Sequence, residues 1–461
     1  MVHKHILLFT YPAQGTINPS IQFAKQLIKL GVKVTIITSL SAHRRMPKTT
    51  TTPPGLNFVS FSDGYDDGLK PGDDYQQFLS GLKNQGAETL TQLITSSAEQ
   101  GNPVTGVVYT MLQIWAAKVA QSFHIPSTLL WTQPAALFRI YFHYFNDYGD
   151  SIKNIFNDPS SLSVELPLLP RLTSRDLPSI LLPADSDLIN RLLLTFKEQI
   201  HTLEAEAKPK ILVNSFDALE PEALRAIDRL KLIAIGPLVP SAFLDGKDPS
   251  DTCFGADLFR KSRDYVEWLD LNPESSVVYV SFGTMAVISK KQREEVAWGL
   301  LECHRPFLWV MRATKNGEKE EDELSRREEL EQLGMIVPWC SQLEVLSHPS
   351  LGCFVTHCGW NSSLEGLISG VPMVGFPQFV DQPTNAKLIE DVFKTGVRVI
   401  ANEDGIVEGE EIKRCIEVIM GGGEKGQEMY KMAKKWRELA KEAAKEGGSL
   451  DMNLRAFVDE V

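Results

Sequence analysis

Trp339-Cys-Ser-Gln342, Thr356-His-Cys-Gly-Trp-Asn-Ser362 and Phe379-Val-Asp-Gln382 punctuate one stretch of this chain, and the reading of that stretch decides the fold. Gly352-Cys-Phe-Val-Thr356 has the β-branched and aromatic content of a short buried strand. After a tight turn, Leu364, Leu367 and Ile368 fall at helical spacing, so the turn delivers a helix N-terminus. Such an end carries unpaired N–H groups and the positive pole of the helix dipole, and it holds phosphate without a metal. Pro372-Met-Val-Gly-Phe-Pro377 reads as the next strand, with Asp381 and Gln382 just past its carboxyl end. Ligands of open parallel α/β sheets bind there.

Working outward, 461 residues suffice for two or three domains with cores of their own. Hydrophobic content of 43%, charged content of 23% and 26 prolines against 32 glycines describe a globular chain. A net charge of −12 argues against nucleic-acid binding, which needs a basic face, so an anionic ligand must be held locally. The apolar run Ile6-Leu-Leu-Phe-Thr-Tyr11 is too short to span a membrane and meets no small-residue cleavage pattern; it reads as a first buried strand. Six cysteines without dense spacing suit a reducing compartment, and the expectation is the cytoplasm. Cys340, His348, Cys353, His357 and Cys358 fit no paired ligand spacing, so no metal is expected.

From the start, a strand to Tyr11, a loop over residues 12–19, an amphipathic helix through Ile21, Ala24, Leu27 and Ile28 and a strand Val32–Thr38 open a doubly wound domain. Strands follow at Asn57–Ser62, Gly106–Thr110, Ser127–Thr132, Ile211–Ser215 and Leu232–Pro237, with helices near 74–98 and at Trp115–Ser122. Residues 139–210, with several prolines, the aromatic run Tyr141–Phe145 and short helical patches, suggest long loops over a cleft. Asp185-Ser-Asp187 matches a short acidic motif of metal-dependent sugar-nucleotide enzymes, a match expected by chance in so acidic a chain.

Residues 240–253, rich in Gly, Pro, Ser and Asp, read as a linker between an N-terminal domain (1–239) and a C-terminal one (254–446). In the latter the pattern restarts with a strand from Val277, a glycine turn to Thr284, a helix Lys290–Glu302, a strand Phe307–Met311 and a charged loop over 315–329. Residues 447–461 read as a terminal amphipathic helix, with docking back on the first domain as the expectation.

The stretch Trp339–Gln382 closely resembles the sugar-donor signature of plant family 1 UDP-glycosyltransferases. Tyr11-Pro-Ala-Gln-Gly15, Leu212-Val-Asn-Ser-Phe-Asp-Ala-Leu-Glu-Pro221 and Ser281-Phe-Gly-Thr284 spread the likeness over nearly the whole chain, and it looks most like the branch making glucose esters and flavonoid or anthocyanin O-glucosides. The resemblance implies the α/β GT-B fold, two facing Rossmann-like doubly wound domains with a cleft between them. It implies a metal-independent, inverting glucosyltransferase without a cofactor, a monomer that takes UDP-glucose as donor substrate and a small aromatic or carboxylic acceptor.

The same resemblance assigns tasks to residues of this sequence. Trp339 stacks on uracil and the Cys340 backbone bonds its edge; Gln342 and Glu365 hold the ribose hydroxyls. His357, Asn361, Ser362 and Thr284 bind the diphosphate, while Asp381, Gln382 and the Trp360 backbone read the sugar; Thr132 resembles a sugar-touching residue of some relatives. Each has a plainer reading. Trp339 and His357 are ordinary core types, and Ser362-x-x-Glu365 has the form of a capping box.

The consequential departure is Thr16, where the family carries a histidine that deprotonates the acceptor, together with Thr110, where it carries the aspartate orienting that histidine. A threonine hydroxyl is no base near neutral pH, so general-base catalysis, worth roughly 10²–10⁴-fold, is missing for a phenol. A carboxylic acid with a pKa near 4–5 is already anionic at pH 7 and needs no base. A replacement made to trap a complex, and a protein that binds UDP-sugar with weak or no transfer, are the alternatives. Phe379-Val380 also departs from the family's tryptophan and small hydroxyl residue, which would loosen contacts around the sugar. A nicotinamide-dependent dehydrogenase, the rival of another class, lacks its Gly-x-Gly-x-x-Gly turn after the first strand.

Overall fold

A computed structural model describes residues 4–46, 53–70, 72–157, 163–182, 186–227, 230–252, 264–286, 288–311 and 324–461. The chain divides into two compact units: Met1–Arg171 with Pro183–Leu258 and Glu442–Val461, and Leu172–Leu182 with Phe259–Lys441.

In the first unit, β1 (His5–Phe9), β2 (Lys33–Ser39), β3 (Leu56–Phe61), β4 (Gly106–Thr110), β5 (Ser127–Trp131), β6 (Lys210–Val213) and β7 (Lys231–Ala234) make one sheet. Its order is β3-β2-β1-β4-β5-β6-β7, all pairs parallel. In the second, β8 (Val277–Ser281), β9 (Phe307–Val310), β10 (Met335–Val337), β11 (Leu351–Thr356), β12 (Met373–Gly375) and β13 (Gly396–Arg398) run β10-β9-β8-β11-β12-β13, again parallel. The central strands are continuous apolar runs because helices cover both faces of a parallel sheet; β1, β4, β8 and β11 are buried throughout. Side-chain caps fix several helix starts. Asp74 accepts the Gln76 and Gln77 amides and Ser289 the Gln292 amide, each cap worth about 1 kcal/mol.

Several boundaries differ from the sequence reading. The strands β10 and β13 have only three residues each, too few for their periodicity to stand out. Residues 139–210 hold longer helices than the short patches expected, Ala135–Phe145, Gly149–Asn157 and Asp187–Ala205, while the described residues 163–182 between them are turns and irregular chain. Tertiary packing decides this: the Tyr141 and Phe196 rings stack at 4.7 Å, and Phe138 meets Trp131 edge-on at 5.4 Å. Asp185 lies outside the described residues, as do 315–323 of the charged loop and Cys253. Ser186 caps the helix Asp187–Ala205 by accepting the Ile189 amide.

Residues 240–252 are not a separate linker but part of the first unit. Asp251 takes the Ser241 amide at 3.0 Å and pairs with Lys25 at 2.6 Å, which ties the segment down. The terminal helix Ser449–Asp459 also belongs to this unit, with Leu450, Leu454, Phe457 and Val458 in the core that covers β1 and β2. Asn453 donates to the Ala234 carbonyl at 2.8 Å.

Candidate functional site

Each sheet reverses its strand order at one place, β1 beside β4 and β8 beside β11, and the loops leaving those strands are where such sheets take ligands. In the second unit, β8 opens into Phe282-Gly283-Thr284 and β11 into His357-Cys358-Gly359, followed by the helix Trp360–Ser369. Cys358 adopts φ +63, and its amide donates to the Thr356 hydroxyl at 3.2 Å, which makes the sharp turn. The His357 imidazole sits against both glycines. A Cβ on Gly283 would lie 2.5 Å from the His357 Cε1 and Nε2, and one on Gly359 2.5 Å from Nε2. Neither position admits a side chain while the ring stays in place. The helix begins at Gly359, an N-cap with no side chain to cap it, and the Trp360 amide of its first turn donates to the Asp381 carboxylate; the amides of such a first turn point out of the helix end, the direction from which an anion is bound.

The expected nucleoside end assembles beside this turn. Trp339, half-buried, and Cys340 follow β10, and Gln342 starts the short helix Gln342–Leu346. The Gln342 amide donates to Glu365 Oε2 at 2.6 Å and to the Ser362 hydroxyl at 2.8 Å, while the Tyr279 hydroxyl reaches Gln342 Oε1 at 3.3 Å and Cys340 Sγ at 3.4 Å. The capping-box reading of Ser362 and Glu365 is therefore corrected. Both lie inside the helix, and the buried Glu365 carboxylate turns to Gln342.

Asp381 and Gln382 end the loop that follows β12. Burial pushes the Asp381 carboxyl up to about 6, against the opposing hydrogen bonds of its own amide, the Asn385 side chain and the Trp360 amide. Asn385 Nδ2 lies 2.6 Å from Asp381 Oδ2 and 2.8 Å from the Cys358 carbonyl, so one side chain joins this loop to the His357 turn. Gln382 Oε1 accepts the Gln378 and Phe379 amides at 2.8 and 3.1 Å, which fixes the orientation of that side-chain amide. Sequence reasoning passed over Asn385, although it lies one helical turn after Asp381, a spacing that signals a pair.

Thr16, Thr110 and Thr132 belong to the first unit, apart from the other expected site residues. Thr16 stands in the first turn of the helix Gln14–Lys29, and its hydroxyl donates to the Tyr11 and Ala13 carbonyls at 2.7 and 2.9 Å. Thr110 ends β4 and accepts the Tyr11 amide at 3.0 Å. Both are buried, as is Thr132 after β5. The nearby Tyr11 phenol is no substitute base, since burial and the Tyr75 hydroxyl at 2.9 Å hold its pKa well above the ordinary phenol value. Among the described residues no three His, Cys, Asp or Glu side chains are grouped to hold a metal ion, and no helix is long and apolar enough to cross a membrane.

A family model for UDP-glucoronosyl and UDP-glucosyl transferase matches residues 253–422. A crocetin glucosyltransferase of Gardenia jasminoides, described as chloroplastic, is 59% identical over 461 residues, spanning 99% of this chain and 97% of the relative. A phloretin 4'-O-glucosyltransferase of Malus domestica is 57% identical, spanning 100% of this chain and 98% of its own. Among solved structures, Os79 of O. sativa in complex with UDP has a TM-score of 0.86 at 34% identity, covering 99% of each chain.

Proposed function

The chain belongs to the plant family 1 UDP-glycosyltransferases, and on that premise we propose that it moves glucose from UDP-glucose to a small carboxylic or phenolic acceptor, with inversion and without a metal. Its two Rossmann-like units are those of the GT-B fold. The second unit holds the donor: Trp339 and the Cys340 backbone take uracil, Gln342 and Glu365 the ribose, and His357, Thr284, Asn361 and Ser362 the diphosphate. Asp381, Gln382, the Trp360 backbone and, from the first unit, Thr132 read the glucosyl hydroxyls. The observation that carries this assignment is the His357 imidazole wedged between Gly283 and Gly359 at the N-terminus of the helix Trp360–Ser369. That arrangement offers oriented N–H groups to the charge that builds on the departing diphosphate.

In the reaction the acceptor oxygen forms a bond to the anomeric carbon while the carbon–oxygen bond to the β-phosphate breaks, and UDP leaves with the electron pair. A carboxylate attacks as the anion it already is. A phenol must lose a proton, and the Thr16 hydroxyl, spent as a donor to backbone carbonyls, does not take it. Carboxylic acids, giving glucose esters, are therefore the favoured acceptors. Mass-spectrometric product detection with UDP-glucose and a mixed panel of carboxylic acids and phenols tests this. Ester products are expected; phenolic glucosides at ordinary rates would contradict the base-free route.

The Thr16 hydrogen bonds also favour a second reading, a base-deficient protein that binds UDP-glucose and turns it over slowly with every acceptor. Binding of UDP-glucose with no ester product across the panel supports it. The described cysteines, Cys303, Cys340, Cys353, Cys358 and Cys415, are thiols rather than disulfides, which fits a cytoplasmic or other reducing location that a fluorescent fusion checks.

A further inference from the structure

The segment Leu172–Leu182 lies between two stretches of the first unit in sequence yet packs as part of the second. It makes two short turns, Ser174–Asp176 and Ser179–Leu181. At the second turn Ser179 forms a closed pair with Val380: its amide donates to the Val380 carbonyl at 2.8 Å, and its hydroxyl accepts the Val380 amide at 2.6 Å. Val380 stands at φ +58, a left-handed conformation that a β-branched residue rarely adopts and that persists only where neighbours over-determine it. The residues that follow it are Asp381 and Gln382.

The first turn grips the short helix Gln382–Lys387 that the loop leads into. The Thr384 hydroxyl donates to the Asp176 carbonyl at 2.7 Å. Asp176 is itself fixed. Its carboxylate accepts the Thr173 amide and hydroxyl at 2.8 and 2.7 Å and pairs with Arg398 at 2.6 Å, with Lys387 at 3.7 Å. Burial alone would push that carboxyl up, but the Thr173 and Arg398 bonds hold it below the usual carboxylate range. Arg398 also donates to the Arg175 carbonyl at 2.9 Å. Asp381 and Gln382 are thus pinned on either side, at Val380 in the loop and at Thr384 in the helix, by a segment some two hundred residues earlier.

We propose that Ser179 is a positioning residue for sugar recognition: it holds Val380 left-handed, and so sets the direction in which Asp381 and Gln382 meet the hexose of the donor. The inference rests on the proposed donor reading of those two residues. It also accounts for Val380 at a position where its own backbone preference opposes the observed turn. Val380 is tolerated because Ser179 supplies both hydrogen bonds that the turn needs.

The test compares UDP, which carries no hexose, with UDP-glucose and UDP-galactose. Ser179→Ala keeps the amide bond and removes the hydroxyl acceptor. It is expected to raise KM for UDP-glucose about 10-fold, to erode the preference over UDP-galactose and to leave UDP affinity unchanged. Adding Val380→Gly, which accepts φ +58 without strain, should restore most of the loss. Thr384→Val, isosteric but unable to donate to Asp176, loosens the helical side of the pair Asp381–Gln382 and should move the same readouts in the same direction. Equal loss of UDP and UDP-glucose affinity in these variants means a merely structural role and overturns the proposal. So does a wild-type preference for UDP-glucose that survives Ser179→Ala and Thr384→Val. If wild-type protein gains no affinity from the glucosyl group at all, the donor reading of Asp381 and Gln382 falls and takes the role of Ser179 with it.

Discussion

Thr16 and Thr110 are coupled through the backbone of one residue: Thr16 donates to the Tyr11 carbonyl at 2.7 Å, and Thr110 accepts the Tyr11 amide at 3.0 Å. Where the family resemblance implies a base and its orienting carboxylate, this chain has two hydroxyls that satisfy the turn between β1 and the helix Gln14–Lys29. The positions remain structurally matched to each other after losing the chemistry that the resemblance assigns to them. Both hydroxyls thus serve the shape of the turn, one through the Tyr11 carbonyl and the other through its amide.

Thr16→His together with Thr110→Asp should restore proton abstraction. Phenol glucosylation is expected to rise by about 10²–10⁴-fold, while carboxylate glucosylation and UDP-glucose affinity change far less. Steady-state kinetics with one phenol and one carboxylic acid decide it. No gain for the phenol would sink the view that a missing base limits that reaction.

The His357 imidazole packs directly against Gly359, a small contact that residue types alone do not reveal. Gly359 has φ −58, which alanine adopts freely, so Gly359→Ala carries no backbone penalty and adds only a Cβ 2.5 Å from the His357 Nε2. Overpacking of this kind costs about 1–3 kcal/mol. If the displaced imidazole is a phosphate ligand, titration calorimetry will find UDP and UDP-glucose affinity reduced by the same factor. Undiminished affinity would remove His357 from the phosphate site.

Much of this architecture was legible in the chain because buried parallel strands are written as unbroken apolar runs: Gly106–Thr110 and the helices Trp115–Ser122 and Lys290–Glu302 have the same bounds in sequence and structure. The donor stretch was legible because its polar residues are close in sequence and sit at strand ends. Three features were not. The helix Ala135–Phe145 is buried nearly all round, so no polar face betrayed its period. The strand β13 is three residues long and takes its place through pairing with β12. Asp176 and Ser179 acquire meaning only from Arg398 and Val380, partners separated by more than two hundred positions, and no local pattern encodes such a pairing.

The terminal helix offers a test of packing that is independent of catalysis. Phe457 is buried in the first unit's core, with its ring 6.1 Å from that of Phe23. Phe457→Ala should cost about 3–5 kcal/mol of that unit's stability. Thermal denaturation followed by tryptophan fluorescence should show the transition of the first unit moving to lower temperature. An unchanged profile would mean that the helix is not bound as described.

Asp381 gives the site a pH dependence whose sign follows from burial. Its folded carboxyl ionises near 6, above the ordinary aspartate value, so the folded chain holds this proton more tightly than the unfolded one. The stability it contributes is full below about pH 4 and is lost as pH rises through 6. Asp381→Asn should therefore be more stable than the wild type at pH 8, with the advantage vanishing toward pH 4. Binding runs the other way, because only the carboxylate accepts hydrogen bonds from two sugar hydroxyls. Affinity for UDP-glucose relative to UDP should fall as pH drops below about 6, and Asp381→Asn should lose about 10–100-fold at pH 8 and flatten that limb. Using UDP as the reference cancels the titration of groups that touch only the nucleotide. A ratio independent of pH between 5 and 8 in the wild type would mean that Asp381 does not read the sugar as a carboxylate.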